Sequence, residues 1–204
     1  RLIAQGKVKN SHIIIFAFIN GLIGVLPLFF IPIKAIFISL IVIPLVITYP
    51  FMKRITWWPQ LWLGITFNWG VLVGYTTLSG KFFSIEMLTL YIGCVLWTLG
   101  YDTIYGFQDI IDDKKIGLKS TAVKFEKNPK IFLLFVYSFS NLFFLYTFSY
   151  IKSHPYLVYI IGIIFFILLF KIFKINLLSP KECKRFFIFN SYCGIMITFI
   201  ILFF

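Results

Sequence analysis

The chain has 204 residues, 60% of them hydrophobic and only 13% charged, with a mean hydropathy of +0.96. A water-soluble domain of this length cannot bury so much apolar surface, so a soluble globular protein is excluded and lipid is the expected solvent. The net charge of +12 invites a nucleic-acid reading, but the basic residues fall in the loops between apolar runs, as in a membrane protein, and no nucleic-acid partner is expected. In chain order, apolar segments occupy 11–30, 33–52, 57–78, 84–101, 130–151, 155–174 and 186–204. Each has about the 17–25 residues that a spanning helix needs, and none shows the alternation of a membrane strand. Pro27 and Pro44 fall inside segments and are expected to kink them. No linker or repeat interrupts the series. Residues 1–204 therefore read as one all-α domain, a polytopic transmembrane helical bundle with seven helices.

Basic residues set the expected orientation. Of the 19 Lys and Arg residues, only Lys34, Lys81 and Lys152 fall outside one alternate set of loops. By the positive-inside rule that set is cytoplasmic, so Lys53, Asp109 and Lys181 lie inside and Phe204 outside. No acid sits in mid-segment, which argues against a proton-coupled transporter. Cys94, Cys183 and Cys193 show no paired spacing, so neither a disulfide nor a zinc site is expected. His12 and His154 read as polar groups at segment edges. Position 1 is Arg and no signal peptide precedes the first apolar run, so the expectation is a chain lacking its N-terminal part.

Polar chemistry concentrates in residues 101–122. Asp102, Asp109, Asp112 and Asp113 lie here, from a total of seven acids. If the stretch is helical, Asp102, Tyr105, Asp109, Asp112 and Asp113 share one face. Carboxylates on one face repel, and a divalent cation such as Mg²⁺, which takes hard oxygen ligands, relieves that repulsion. The alternative is a solvated helix end whose acids balance Lys114, Lys115 and Lys119. A second stretch, residues 49–70, places Lys53 and Arg54 on the same side. A guanidinium there suits paired hydrogen bonding to a carboxylate or phosphate, or Lys53 and Arg54 anchor the helix beside interfacial Trp57 and Trp58. Asn68, inside an apolar segment, needs a hydrogen-bonding neighbour or a ligand.

The run YDTIYGFQDIIDDKKIGLKSTA (101–122) resembles the second aspartate-rich motif of the UbiA superfamily of intramembrane prenyltransferases. YPFMKRITWWPQLWLGITFNWG (49–70) is similar to the matching segment of its 4-hydroxybenzoate polyprenyltransferase branch. Arg1–Leu2–Ile3–Ala4–Gln5–Gly6 resembles the family's R-P-L-x-S-G, with Leu2 in place of the usual Pro. Pro180–Lys181–Glu182–Cys183 and Asn190–Ser191–Tyr192–Cys193–Gly194 resemble the last loop and helix, and Gly106 stands where Ala is usual. The resemblance implies nine transmembrane helices around a cavity, of which seven are represented, and a first motif, N-D-x-x-D-x-x-x-D, with no counterpart here.

What the resemblance implies is Mg²⁺-dependent transfer of a polyprenyl group from polyprenyl diphosphate to the ring of 4-hydroxybenzoate. The setting it implies is ubiquinone biosynthesis at the cytoplasmic face of a bacterial inner membrane. Carried over by position, Asp109 and Asp113 are the metal pair, with Asp112 and Asp102 as weaker metal candidates. Arg54 matches a residue holding the benzoate carboxylate. Lys53, Lys119, Asn68 and Tyr105 are further substrate-binding candidates. Residues 1–204 alone, without the first motif, are expected to be inactive. The rival expectations are a UbiA-type enzyme acting on a naphthoate, homogentisate, haem or chlorophyll precursor, and a multi-pass transporter.

Overall fold

The computed structural model describes residues 9–150 and 155–203. The Arg1–Gly6 motif, Lys152, His154 and Phe204, used above for the resemblance and the orientation, lie outside the described residues. Within them the regular structure is helical: α1 (Asn10–Val25), α2 (Ile33–Thr48), α3 (Met52–Ile55), α4 (Pro59–Phe67), α5 (Gly70–Ser79), α6 (Ile85–Gly106), α7 (Ile110–Lys115), α8 (Thr121–Lys124), α9 (Pro129–Tyr150), α10 (Pro155–Lys174) and α11 (Pro180–Phe203). Among the described residues six spans are long and apolar enough to cross a membrane: Ser11–Phe30, Ile33–Ile55, Ile85–Gly106, Pro129–Tyr150, Tyr156–Lys174 and Pro180–Phe203. An all-α polytopic bundle is what the hydropathy predicts, because helices satisfy their own backbone groups in lipid.

Three expectations are corrected. The segment at 57–78 is not one helix. It breaks after Phe67 into α4 and α5, and the Asn68 side chain caps the break by donating to the Gly64 carbonyl at 2.8 Å. Proline at 27 does not kink a continuous helix either, since α1 ends at Val25 and Pro27 enters a 3₁₀ turn, Leu26–Phe30. The last helix begins at Pro180 rather than 186, which puts Lys181, Lys184 and Arg185 on helix instead of loop. Ser179, Pro180 and Glu182 form its start, with the Ser179 hydroxyl accepting from the Glu182 N–H at 3.4 Å. A hydroxyl followed by proline and an acid is a helix-start signature, and the long basic side chains reach toward water from there.

Helix α6 is the centre, packing against α4, α5, α9 and α11. Small residues make this possible. A Cβ on Gly64 would stand 2.8 Å from the Val95 carbonyl oxygen, and one on Gly100 would stand 2.5 Å from the Tyr137 ring. Where lipid is as apolar as leucine, such close approach and interhelical hydrogen bonds hold helices together. Thr89 and Thr147 share a bond at 2.8 Å, and Ser140 donates to the Gly93 carbonyl at 2.8 Å. Buried Asn190 of α11 accepts from both Trp97 Nε1 (2.8 Å) and the Tyr137 hydroxyl (2.9 Å), joining α6, α9 and α11 at one atom. Trp62 and Trp69 tie the broken segment to α2 through the Leu45 and Ile38 carbonyls.

Loops expected on the same side meet. The Lys119 N–H bonds the Lys53 carbonyl at 2.8 Å, and Lys130 Nζ bonds the Phe173 carbonyl at 2.7 Å. Lys34, from the other set, bonds the Gly80 carbonyl at 2.9 Å.

Candidate carboxylate and cavity sites

The predicted single carboxylate face is the fourth correction. Helix α6 ends at Gly106, and Phe107, Gln108 and Asp109 donate to residues three back, at 3.2, 3.0 and 3.2 Å. Such a turn winds by about 20° more per residue than an α-helix, so the unbroken α-helical period assumed for a single face does not run from Asp102 to Asp109. The tightening carries the Phe107 ring into the core, where it is 6% exposed. Asp109 then precedes α7, whose short run carries Asp112 and Asp113.

A Schellman motif closes α7. Gly117 has φ +70°, Leu118 N–H bonds the Asp113 carbonyl at 2.8 Å, and Gly117 N–H bonds the Lys114 carbonyl at 3.2 Å. Only glycine adopts that conformation without strain. The chain leaving it is pinned to α3 by the Lys119 backbone bond to Lys53 and by Lys119 Nζ donating to the Ile55 carbonyl at 3.2 Å. Gly117→Ala is therefore expected to cost about 1 kcal/mol and to loosen the carboxylate loop, read as faster proteolysis within 114–120 and a melting temperature a few degrees lower.

Asp109, Asp112 and Asp113 line one cavity of about 550 Å³ with Tyr49, Pro50 and Lys53. Asp113 is 5% exposed, and its Oδ2 has no hydrogen-bond partner although Lys53 Nζ stands 3.6 Å away. Asp112 is largely solvated and pairs with Lys115 at 3.9 Å. Asp102 does not line this cavity but interacts electrostatically with Lys53 and Tyr49, which do. The carboxylates thus form two groups around Lys53, one on α6 and one on the turn and α7. Among the described residues no three His, Cys, Asp or Glu side chains converge tightly enough to enclose an ion. The donor set still fits Mg²⁺, which binds through one or two carboxylates and keeps water or phosphate for its remaining positions. The buried Asp113 oxygen, which has a loose ion pair to Lys53 but no hydrogen bond, is the atom that such an ion would satisfy.

Lys53 and Arg54 diverge. They are adjacent on a helix, about 100° apart, and Lys53 faces Asp113 while Arg54 is exposed, outside the cavity and without an ion pair or hydrogen bond among the described residues. Lys119 packs over Trp57 with its ammonium 5.8 Å from the ring centroid and supports the loop rather than lining the cavity.

A second cavity, about 360 Å³, lies between α4, α6 and α11, with Asn68, Trp97, Thr98, Tyr101, Phe187 and Ser191 on its wall. Asn68 Nδ2 also donates to Thr98 Oγ1 at 2.8 Å, so this residue both joins helices and faces the cavity. Tyr105 is not on the wall; it packs on Phe187 at 4.8 Å, while Tyr101, one turn earlier, meets the same ring at 5.5 Å and does line the cavity. Gln60 was missed by sequence reasoning. It is 3% exposed, and its Oε1 accepts the Thr121 N–H at 3.0 Å, fixing the start of α8 to α4. Its one sequence signal is a polar amide inside an apolar run.

The profile of the UbiA prenyltransferase family matches residues 1–194. The chain is 35% identical over 198 residues to "4-hydroxybenzoate polyprenyltransferase, mitochondrial" of Drosophila melanogaster, covering 97% of this chain and 50% of that protein. It is 42% identical over 154 residues to the Homo sapiens protein of the same name, covering 75% and 41%. It is 35% identical over 198 residues to "4-hydroxybenzoate geranyltransferase 2" of Lithospermum erythrorhizon, covering 97% and 64%. The chain thus spans about half the length of the fly relative. The apo structure of a UbiA homolog from Aeropyrum pernix K1 superposes with a TM-score of 0.70 at 23% identity, covering 94% of this chain and 76% of that one, and so shares its fold. Through the profile match and these identities, the chain belongs to the UbiA prenyltransferase family.

Proposed function

We propose that the protein carrying this chain transfers a polyprenyl group from polyprenyl diphosphate to the ring of 4-hydroxybenzoate, with residues 1–204 forming one prenyltransferase domain. The observation that carries the reading is the cavity bounded by Asp109, Asp112, Asp113 and Lys53, with one buried Asp113 oxygen left without a hydrogen bond. Relatives named for 4-hydroxybenzoate transfer support the acceptor. Asp109 and Asp113 would hold Mg²⁺, assisted by Asp112, with Asp102 acting through Lys53. When bound, the metal neutralises diphosphate charge so that it can leave. Lys53 adds a cation beside the same carboxylates, and with its side chain 44% exposed it has room to follow the diphosphate as it departs. The aromatic wall of the second cavity, Trp97, Tyr101 and Phe187, offers ring faces to a developing allylic cation and keeps water from it. Asn68 fixes the α4–α5 break that shapes this wall.

The test is Mg²⁺-dependent prenylation of 4-hydroxybenzoate by membranes expressing the natural reading frame that contains these residues, against a panel of naphthoate and homogentisate acceptors. Transfer to another acceptor alone would move the protein to a different branch, and solute flux without turnover would make it a transporter.

Arg54 is assigned the benzoate carboxylate, which its exposed, unpaired guanidinium is free to meet. Arg54→Lys removes paired hydrogen bonding, so KM for the aromatic acid is expected to rise about tenfold, the worth of roughly 1.4 kcal/mol, with KM for the prenyl diphosphate little changed. Equal damage toward both substrates would assign Arg54 to the diphosphate instead.

Product entry into ubiquinone biosynthesis and an active face on the cytoplasmic side of a bacterial inner membrane complete the reading, the latter supported by the basic loops. The fly and human relatives are named mitochondrial, which makes a mitochondrial membrane the second reading. Reporter fusions after Lys152 and after Lys181 are expected to report opposite sides; the same side from both would overturn the helix count between them.

A further inference from the structure

The cytoplasmic ends of α10 and α11 face each other across a cleft of about 390 Å³ that the proposed reaction does not use. On α10 the wall is Ile167, Phe170, Lys171 and Lys174, and on α11 it is Glu182, Arg185, Phe186 and Phe189. Each set follows the i, i+3, i+4, i+7 spacing, which is a single helix face. Two amphipathic stripes therefore oppose one another at a membrane boundary, with cations at the rim and rings beneath. The ammonium groups of Lys171 and Lys174 rest over Phe189 and Phe170, 4.4 and 4.3 Å from the ring centroids. Arg185 makes no ion pair or hydrogen bond among the described residues, and the only acid on the wall, Glu182, already accepts the Asn176 N–H at 2.8 Å. Among the described residues, three cations thus stand against one carboxylate, and none is ion-paired, where lipid headgroups lie.

We propose that this cleft binds an anionic phospholipid, its phosphate held by Lys171, Lys174 and Arg185 and an acyl chain laid over Phe170, Phe186 and Phe189. Charge complementarity selects this occupant. A neutral lipid leaves the net positive charge of the wall uncompensated, whereas basic pockets between spanning helices on this side attract acidic headgroups. An arginine fork adds paired hydrogen bonds to phosphate oxygens. An aqueous phosphate satisfies the rim but leaves the aromatic floor bare. Lys174 also lines the neighbouring cavity beside Lys127 and Lys130, so positive potential extends from the cleft toward the loop that follows the carboxylates. This inference stands apart from the prenyl-transfer reading, and neither outcome below depends on activity.

The experiment is native mass spectrometry of the full protein in detergent, titrated separately with phosphatidylglycerol, phosphatidylcholine and glycerol phosphate. The intact protein is expected to retain phosphatidylglycerol at least about tenfold more tightly than phosphatidylcholine. K171Q/K174Q/R185Q should lose that preference, since each basic residue near an anionic surface contributes severalfold. K181Q/K184Q, which alters two exposed lysines outside the cleft, should keep it. Arg185→Gln alone, at an exposed residue with no protein partner to lose, is expected to weaken retention about threefold and guards against misfolding of the triple variant. Equal retention of the two lipids, or an unchanged triple variant, would overturn the proposal. So would displacement of phosphatidylglycerol by glycerol phosphate at equal concentration, which would make the site one for a free anion. A lipid-free dimer that the triple variant dissociates would assign the cleft to a second copy of the chain.

Discussion

Asp113→Asn is expected to lower prenyl transfer by about two to three orders of magnitude and to leave the melting temperature almost unchanged. The two effects separate because the residue's environment serves a ligand better than it serves the fold. Asp113 is 5% exposed, and one of its oxygens has no hydrogen-bond partner. A buried carboxylate so placed is costly to the protein, and the ion pair offsetting it is loose, at 3.6 Å to a lysine whose side chain is 44% exposed. Pairs with one solvated partner contribute about 0–1 kcal/mol, so asparagine costs little stability. It removes, however, the charge proposed to hold a cation and, with it, the proposed means of neutralising the diphosphate. Asp112→Asn is the comparison. Its side chain is 82% exposed and engaged with Lys115, and only a few-fold loss is expected. Parallel loss of activity and melting temperature in Asp113→Asn would make the residue a structural one.

Gly100→Ala is expected to destabilise the bundle by about 1–3 kcal/mol or more, read as a melting temperature lower by several degrees. The new Cβ would meet the Tyr137 ring at 2.5, 2.9 and 3.2 Å. Tyr137 cannot retreat. Its side chain is fully buried, and its hydroxyl donates to the Asn190 oxygen that also accepts from Trp97. Relief at the ring therefore breaks the junction of α6, α9 and α11, and the second cavity, walled by Trp97 and Asn190, opens with it. Gly74→Ala is the control. It lies within α5 with nothing inside 4 Å of the added carbon, so alanine should be neutral or stabilising by up to about 1 kcal/mol. If both substitutions behave alike, close packing at Gly100 is not what holds α6 to α9.

The sequence by itself determined the solvent, the helical class and the pairing of loops by side. Those properties rest on sums over many residues: twenty apolar side chains place a helix in lipid wherever its neighbours stand, and charge placement needs no contacts. The two motifs also singled out stretches 49–70 and 101–122, which the fold joins through the Lys119 N–H on the Lys53 carbonyl. Where the helices break was decided by tertiary contacts. The face shared by Asp102 and Asp109 was legible only on the assumption of an unbroken α-helical period, and burial of Phe107 against the core favours an i→i+3 turn that ends it. Asn68 reads as an isolated polar group in sequence, yet its position against Gly64, Cys94 and Thr98 makes it the cap of a break. Lys53 and Arg54 are chemically similar neighbours, and no local signal says which turns toward Asp113. That choice follows from how the short helix α3 is docked, through the Lys119 N–H on the Lys53 carbonyl, because adjacent helical side chains point about 100° apart and a docked helix presents only one of them to a given partner.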